Sequence, residues 1–168
     1  MIVTNAINTG NFIYCTTYLS PNESGPYHNI GNGHYHQWVY VVSGSGKTEL
    51  RDEENGPVTA TKDVFWTGKI VDKSDTRGKY SNLSTVEGLS MIFFNPIPDT
   101  LNLGVEMLHG PITKTVTATD KRVTVVCITG PVTINDKQLH SLQHAKVFTG
   151  KTAELILPEN TVCALVTS

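Results

Sequence analysis

Short apolar runs rich in Val, Ile, Thr and aromatic residues recur along this chain about every eight to twelve residues, each closed by turn formers. That rhythm allows many short strands and leaves no room for a long amphipathic helix. Strands are expected over residues 11–19, 34–42, 47–51, 58–61, 63–66 and 89–94. After a break at Asn95-Pro96-Ile97-Pro98-Asp99, where two prolines oppose both ladder and helix, they resume over 112–118, 122–128, 132–134, 145–148, 153–157 and 162–166. Residues 69–84 read as a long polar connection and 101–108 as one helical turn. Asp52-Glu53-Glu54-Asn55-Gly56 reads as a hairpin tip, because Asn-Gly readily takes the positive φ angles of a type I′ turn. The expected class is all-β.

Composition agrees with that class and narrows the partners. Of the 168 residues 39% are hydrophobic and only 17% charged, below the roughly 25% of typical soluble domains. Uncharged polar residues therefore cover the surface, as suits pleated strands and turns. A net charge of -2 with no basic cluster beyond pairs such as Lys121-Arg122 argues against nucleic acid and acidic membranes. No stretch reaches the about 18 apolar residues of a membrane span, and the N-terminus lacks the basic and apolar regions of a signal peptide. Cys15, Cys127 and Cys163 are odd in number, far apart and set in apolar contexts. They read as buried reduced thiols in a cytoplasmic protein.

The chain also repeats itself. Val39-Tyr40-Val41-Val42-Ser43-Gly44-Ser45-Gly46 aligns without gaps on Val123-Thr124-Val125-Val126-Cys127-Ile128-Thr129-Gly130, an offset of 84. The segment from Lys62 to Lys69 echoes Lys146-Val147-Phe148-Thr149-Gly150-Lys151 once two residues are removed. A duplicated β unit can cover its exposed edges with its own copy. The division is expected to fall at 1–96, carrying the candidate site, and 97–168, a degenerate β repeat packed on it.

The chemistry concentrates in His34-Tyr35-His36-Gln37-Trp38-Val39-Tyr40. Alternate side chains of a strand share a face, so His34, His36, Trp38 and Tyr40 point one way. Two imidazoles so placed can reach one metal ion, and neutral imidazole suits Fe, Mn, Ni, Zn or Cu. Trp38, Trp66 and Tyr80 are candidate walls of a ligand pocket, and Tyr40 is the candidate catalytic acid or hydrogen-bond donor.

His34-x-His36 followed by Gly46 in a strand–turn–strand context resembles the first motif of the cupin superfamily, in which a His-x-His pair and a glutamate bind a metal inside a barrel. The resemblance covers residues 25–96 by motif and the rest through the repeat. It implies a cupin-like double-stranded β-barrel, or jelly roll, with a degenerate second cupin-like unit, and a homodimer as the default assembly. Tyr40 stands where the family has its glutamate; an alternative alignment puts Gln37 there, but on the opposite face. His28 occupies the leading glycine position and is a candidate third metal ligand. The second-motif region, 62–95, holds no histidine, with Tyr80 or Asn82 nearest its place.

Two readings stay open: a divalent metal (Fe, Mn, Ni or Zn) at His34, His36 and His28, or a metal-free polar pocket. The resemblance implies either a metal-dependent enzyme, of oxygenase or isomerase class, on a small polar metabolite, or a non-catalytic ligand-binding or structural protein, virus-encoded ones included. At the offset of 84, His34 and His36 correspond to Ala118 and Asp120, so the second copy carries no such site. Gly44-Ser45-Gly46-Lys47-Thr48 resembles the end of a phosphate-binding loop but lacks the preceding glycine and the helix that follows one. His140 with His144, and Glu106 with His109, are minor candidates.

Overall fold

The computed structural model describes residues 2–3, 6–25, 28–29, 36–50, 58–61, 65–69, 77–98 and 101–168, with backbone alone at 28–29, 36–37, 47–50, 58–61, 65–69 and 77–79. Every regular element among them is a strand. In chain order these are β1 (Ile2–Val3), β2 (Ile7–Asn8), β3 (Phe12–Leu19), β4 (His28–Asn29), β5 (His36–Ser43), β6 (Ser45–Leu50), β7 (Val58–Thr61), β8 (Phe65–Lys69), β9 (Arg77–Asn82) and β10 (Leu89–Pro96). Then come β11 (Gly104–His109), β12 (Ile112–Ala118), β13 (Val123–Thr129), β14 (Val132–Ile134), β15 (Lys137–Leu139), β16 (His144–Val147), β17 (Lys151–Leu157) and β18 (Val162–Thr167).

The chain divides into two compact units, Met1–Leu101 and Asn102–Ser168. The first holds a sheet ordered β1-β3-β10-β5-β8, with β2 also on β3, and a second ordered β4-β9-β6-β7. The other unit holds sheets ordered β11-β18-β13-β16 and β12-β17-β14-β15. With the short β1 and β2 set aside, the two units repeat one strand order, β3, β10, β5 and β8 corresponding to β11, β18, β13 and β16. All pairings are antiparallel.

Local sequence explains most of these strands. In β17, Ala153, Leu155 and Leu157 point inward while Thr152, Glu154 and Ile156 point out, the period of two of a half-buried strand. In β13 every residue from Val123 to Ile128 is buried, as for a strand covered on both faces. Gly44, at φ +82, is the corner at which the chain leaves the six-stranded sheet and starts β6. A Cβ there would strike the Gly88 carbonyl oxygen, and one on Gly46 would lie 2.6 Å from Leu89 Cδ2. Both glycines are needed for close approach.

Three expectations are corrected. Residues 101–108 hold no helical turn: β11 pairs with β18 along its whole length, so tertiary pairing overrides the helix propensity of Leu, Glu and Met. The polar stretch 69–84 contains β9, whose pairing with β6 needs no hydrophobic alternation in its outer residues. The gap left between the strands expected over 34–42 and 47–51 narrows to Gly44 alone, since β5 runs to Ser43 and β6 starts at Ser45. The hairpin tip at 52–56 lies outside the described residues.

The interior of the N-terminal unit is built from Leu19, Val39, Val41, Tyr80, Leu89, Met91 and Phe93, with Cys15 packed against it. The C-terminal interior is a larger aliphatic cluster that includes Val125, Val132, Leu155 and Leu157, all 1% exposed or less. Each such side chain contributes about 1.5–3 kcal/mol by leaving water. Cys127 and Cys163 face one another across β13 and β18 within it as free thiols.

Candidate functional site

β5 is an inner strand of its sheet, paired with β10 on one side and β8 on the other, and its two faces lead to different surroundings. Val39 and Val41 lie opposite Phe93 and Met91, on the face that packs against Tyr80 of the other sheet. Trp38 and Tyr40 lie opposite Phe94 and Ile92, on the reverse face. Phe94 in turn lies opposite Tyr14, and the rings of Phe12, Tyr14 and Phe94 cluster with centroids 6.2–6.4 Å apart. Tyr40 is 1% exposed and Trp38 half-buried. Tyr40 therefore sits on an aromatic face, presenting no surface to bulk solvent.

The structure does not bring Tyr80 to Tyr40. Tyr80 meets Phe93 edge-on, 4.9 Å between centroids and 63° between planes, on the interior side of the sheet. Trp66 is the backbone partner of Val39, whereas Phe65 is that of Tyr40. Trp38 and Tyr80 thus lie on opposite faces of the sheet, while the Trp66 side chain lies outside those described. Phe12, Tyr14 and Phe94, which share the face of Tyr40, were missed in the sequence. Their signal was the alternation Phe12-x-Tyr14 in β3.

Of the candidate metal ligands, His34 lies outside the described residues. His28 is placed by backbone in β4, opposite Gly78 of β9, and His36 opens β5 opposite Lys69 of β8. These two histidines therefore belong to different sheets of the N-terminal unit. Asn82, near the place of the family's second-motif histidine, is a structural clamp. It is 4% exposed, its Nδ2 donates to the carbonyls of Leu19, Ser20 and Glu87 at 2.8–3.2 Å, and its Oδ1 accepts from Ser84 N at 3.0 Å.

The remaining titratable groups offer no second centre. Burial raises the Cys15 and Cys127 thiols. Burial, with the neighbouring Cys127 and Glu106 adding to it, pushes Cys163 up to about 12, so all three favour the unreactive thiol form. His144 is half-buried, and desolvation followed by Lys146 lowers its pKa. Glu106 pairs with Lys114 at 2.7 Å in the open, and β6 replaces the helix a phosphate-binding loop would need. Asp120, the counterpart of His36, is a turn carboxylate whose pKa its Thr119 hydrogen bond lowers.

No protein-family model and no curated protein matches the sequence. Solved structures do match the fold. The bacterial pirin YhhW in complex with nickel(II), from Escherichia coli, matches with a TM-score of 0.71 and 10% identity over 99% of this chain and 98% of that one. YhaK from Escherichia coli gives 0.69 and 11% identity, covering 94% of this chain and 86% of that one. The oxalate decarboxylase formate complex of Lactobacillus farciminis gives 0.64 and 6%, covering 94% and 76%.

This chain has the cupin fold. The all-β class read from the strand rhythm, and the jelly roll that the motif resemblance implied, are thus the ones observed. No three His, Cys, Asp or Glu side chains among the described residues come together as a metal site. Two imidazoles hold transition metals weakly, and catalytic zinc sites use three protein ligands. Of the candidate ligands His28, His34 and His36, no side chain is among those described, and His28 and His36 stand on different sheets. No helix among the described residues is long and apolar enough to cross a membrane.

Proposed function

We propose that this chain is a cupin-type small-molecule-binding protein whose pocket lies in the N-terminal unit, at the His34/His36 end of β5. The observation that carries the proposal is the unequal chemistry of the two units. The C-terminal interior is closed by Val, Leu, Ile, Ala and Cys side chains, whereas the N-terminal strands carry His28, His36, Tyr40 and Tyr80. The ligand is a small polar metabolite. A divalent transition metal (Fe, Mn, Ni or Zn) held by His34, His36 and His28 is the occupant to test first, and a fold shared with the nickel(II) complex of a pirin supports testing it. Trp38 is the pocket's proposed wall and Tyr40 its hydrogen-bond donor, both on the face of β5 that alternation gives to His36, with Trp66 and Tyr80 as the remaining candidates. The burial of Tyr40 and the sparse donors favour binding over turnover; an oxygenase or isomerase activity is the extension that a bound metal would open. The free thiols support a cytoplasmic location, and a homodimer is the assembly proposed.

Elemental analysis of protein purified without tag or chelator tests the metal. Near-stoichiometric metal that is lost in His34→Ala and kept in His140→Ala, an exposed position of the other unit, supports the site. A metal-free protein whose melting temperature ignores added Fe, Mn, Ni and Zn removes the metal from the proposal. Co-purification of a small organic ligand by the same protein would then carry the binding function alone.

A further inference from the structure

The C-terminal unit has a cleft of about 390 Å³ that the reading above does not use, lined by Ile134, Asn135, Lys137, Ala145, Lys146, Val147, Phe148, Lys151, Thr152 and Ala153. Its floor is apolar: Ile134, Val147 and Ala153 are buried. Three ammonium groups, Lys137, Lys146 and Lys151, belong to its wall, and no carboxylate does. The carboxylates nearest along the chain, Asp120, Asp136 and Glu154, are exposed and lie outside the lining. For a chain of net charge -2, that is a local reversal of sign.

Phe148 is 58% exposed at the rim, and the Arg122 guanidinium lies 5.5 Å from its ring centroid. A cation over one aromatic ring orients both groups, yet most of that ring's surface stays in water. The rim is also pre-formed. Lys151 N donates to Phe148 O at 2.9 Å and Gly150 N to Ala118 O at 2.6 Å, closing the turn that presents Phe148 and Lys151. Across the cleft, Asn135 N donates to Glu154 O at 3.0 Å, and Glu154 N donates to Asn135 Oδ1 at 2.9 Å. Lysines on edge strands also discourage strand addition, but that role accounts for neither the cleft nor the exposed ring.

We infer that this cleft binds a small planar organic anion, an aromatic carboxylate or aryl phosphate, with its ring on the Phe148 side and its charge among Lys137, Lys146 and Lys151. The volume falls within the range of about 300–1,000 Å³ typical of small-molecule sites, which combine apolar walls with a few charged groups. Ordered walls keep the entropic cost of binding low.

The test is titration of the full-length, isotope-labelled protein with phenyl phosphate, benzoate, inorganic phosphate and benzyl alcohol, followed by amide chemical shifts. Expected are saturable shifts confined to the segments 134–137 and 145–153 with phenyl phosphate and benzoate, weakened by added salt. Inorganic phosphate binds more weakly and benzyl alcohol not at all. Lys146→Gln and Lys151→Gln each weaken phenyl phosphate about two- to fivefold. Phe148→Ser removes the preference for phenyl phosphate over inorganic phosphate. These residues stand at least partly in solvent, so unchanged melting temperatures certify the variants. Absence of saturable shifts in these segments overturns the inference. So does equal affinity for inorganic phosphate, or a Phe148→Ser variant that binds phenyl phosphate as well as the parent.

Discussion

In the C-terminal unit two sheets close over Val125, Val132, Leu155 and Leu157, while in the N-terminal unit the same strand order closes over Tyr80, Met91 and Phe93, with Phe12, Tyr14 and Phe94 on the sheet's other face. One framework is therefore filled in two ways. In the C-terminal unit small branched side chains make up most of the cluster, with no aromatic ring among them. Aromatic side chains bring hydroxyl groups with them, because Tyr40 and Tyr80 carry polar tips into apolar surroundings. The difference teaches that ligand chemistry in a repeated fold depends on the side chains at equivalent strand positions, more than on the strands.

Truncating the two cores should give the largest effects and sharpen the contrast. Phe94→Ala should cost about 3–5 kcal/mol and Leu155→Ala about 2–5 kcal/mol, because both residues are 0% exposed and the cavities left can collapse only in part. Urea denaturation measures both. A loss below about 1 kcal/mol for Leu155→Ala would show that the aliphatic core is loosely packed, and would break the comparison.

A smaller loss, about 2–3 kcal/mol, is expected for Asn82→Ala, which strips the Leu19, Ser20 and Glu87 carbonyls of a shared donor in a buried corner. In a C-terminal turn Thr161 Oγ1 donates to the Pro158 carbonyl at 2.6 Å, one acceptor against the three of Asn82. Were Asn82→Ala as stable as the parent, Asn82 would be available for a site role after all.

The smallest effect is one of pH and belongs to the second unit. Cys163 has a thiol pKa raised from its ordinary 9.0 to about 12 in the folded state, so the unfolded chain gives up that proton first. Stability from this group is fully present below 9.0 and declines as pH climbs toward 12. One pH unit above 9.0 the loss is about 1.4 kcal/mol. Cys163→Ala, compared with the parent at that pH and at neutrality, should show a correspondingly smaller decline. An identical decline in both proteins would mean that the two cores respond alike to alkali.

The sequence made the C-terminal strands legible because their two-residue alternation is clean, as in β17. It hid β9 and β11: one is polar in its outer residues, and the other is held by its partner β18 despite helix-favouring composition. The shared face of Trp38 and Tyr40 could be read from alternation. Which face of β5 turns inward could not, because Val39 and Val41 are as apolar as their neighbours, and a strand buried on both sides carries no polarity to choose by. Asn82 gave no sign of its clamping role, since two of its acceptors, the Leu19 and Ser20 carbonyls, lie more than sixty residues away in the chain. The lysine cleft was equally silent, because its walls come from β14, β15, β16 and β17 and from no contiguous motif.

The division at Leu101 has a practical corollary. Every strand ladder lies wholly on one side of it, β1 to β10 before and β11 to β18 after. Among the described residues no strand ladder crosses the peptide bond between Leu101 and Asn102. The gene could therefore be split there into two polypeptides, each keeping its described pairing partners, which makes this junction the natural place to install a reporter or to exchange one half for that of another protein of this fold.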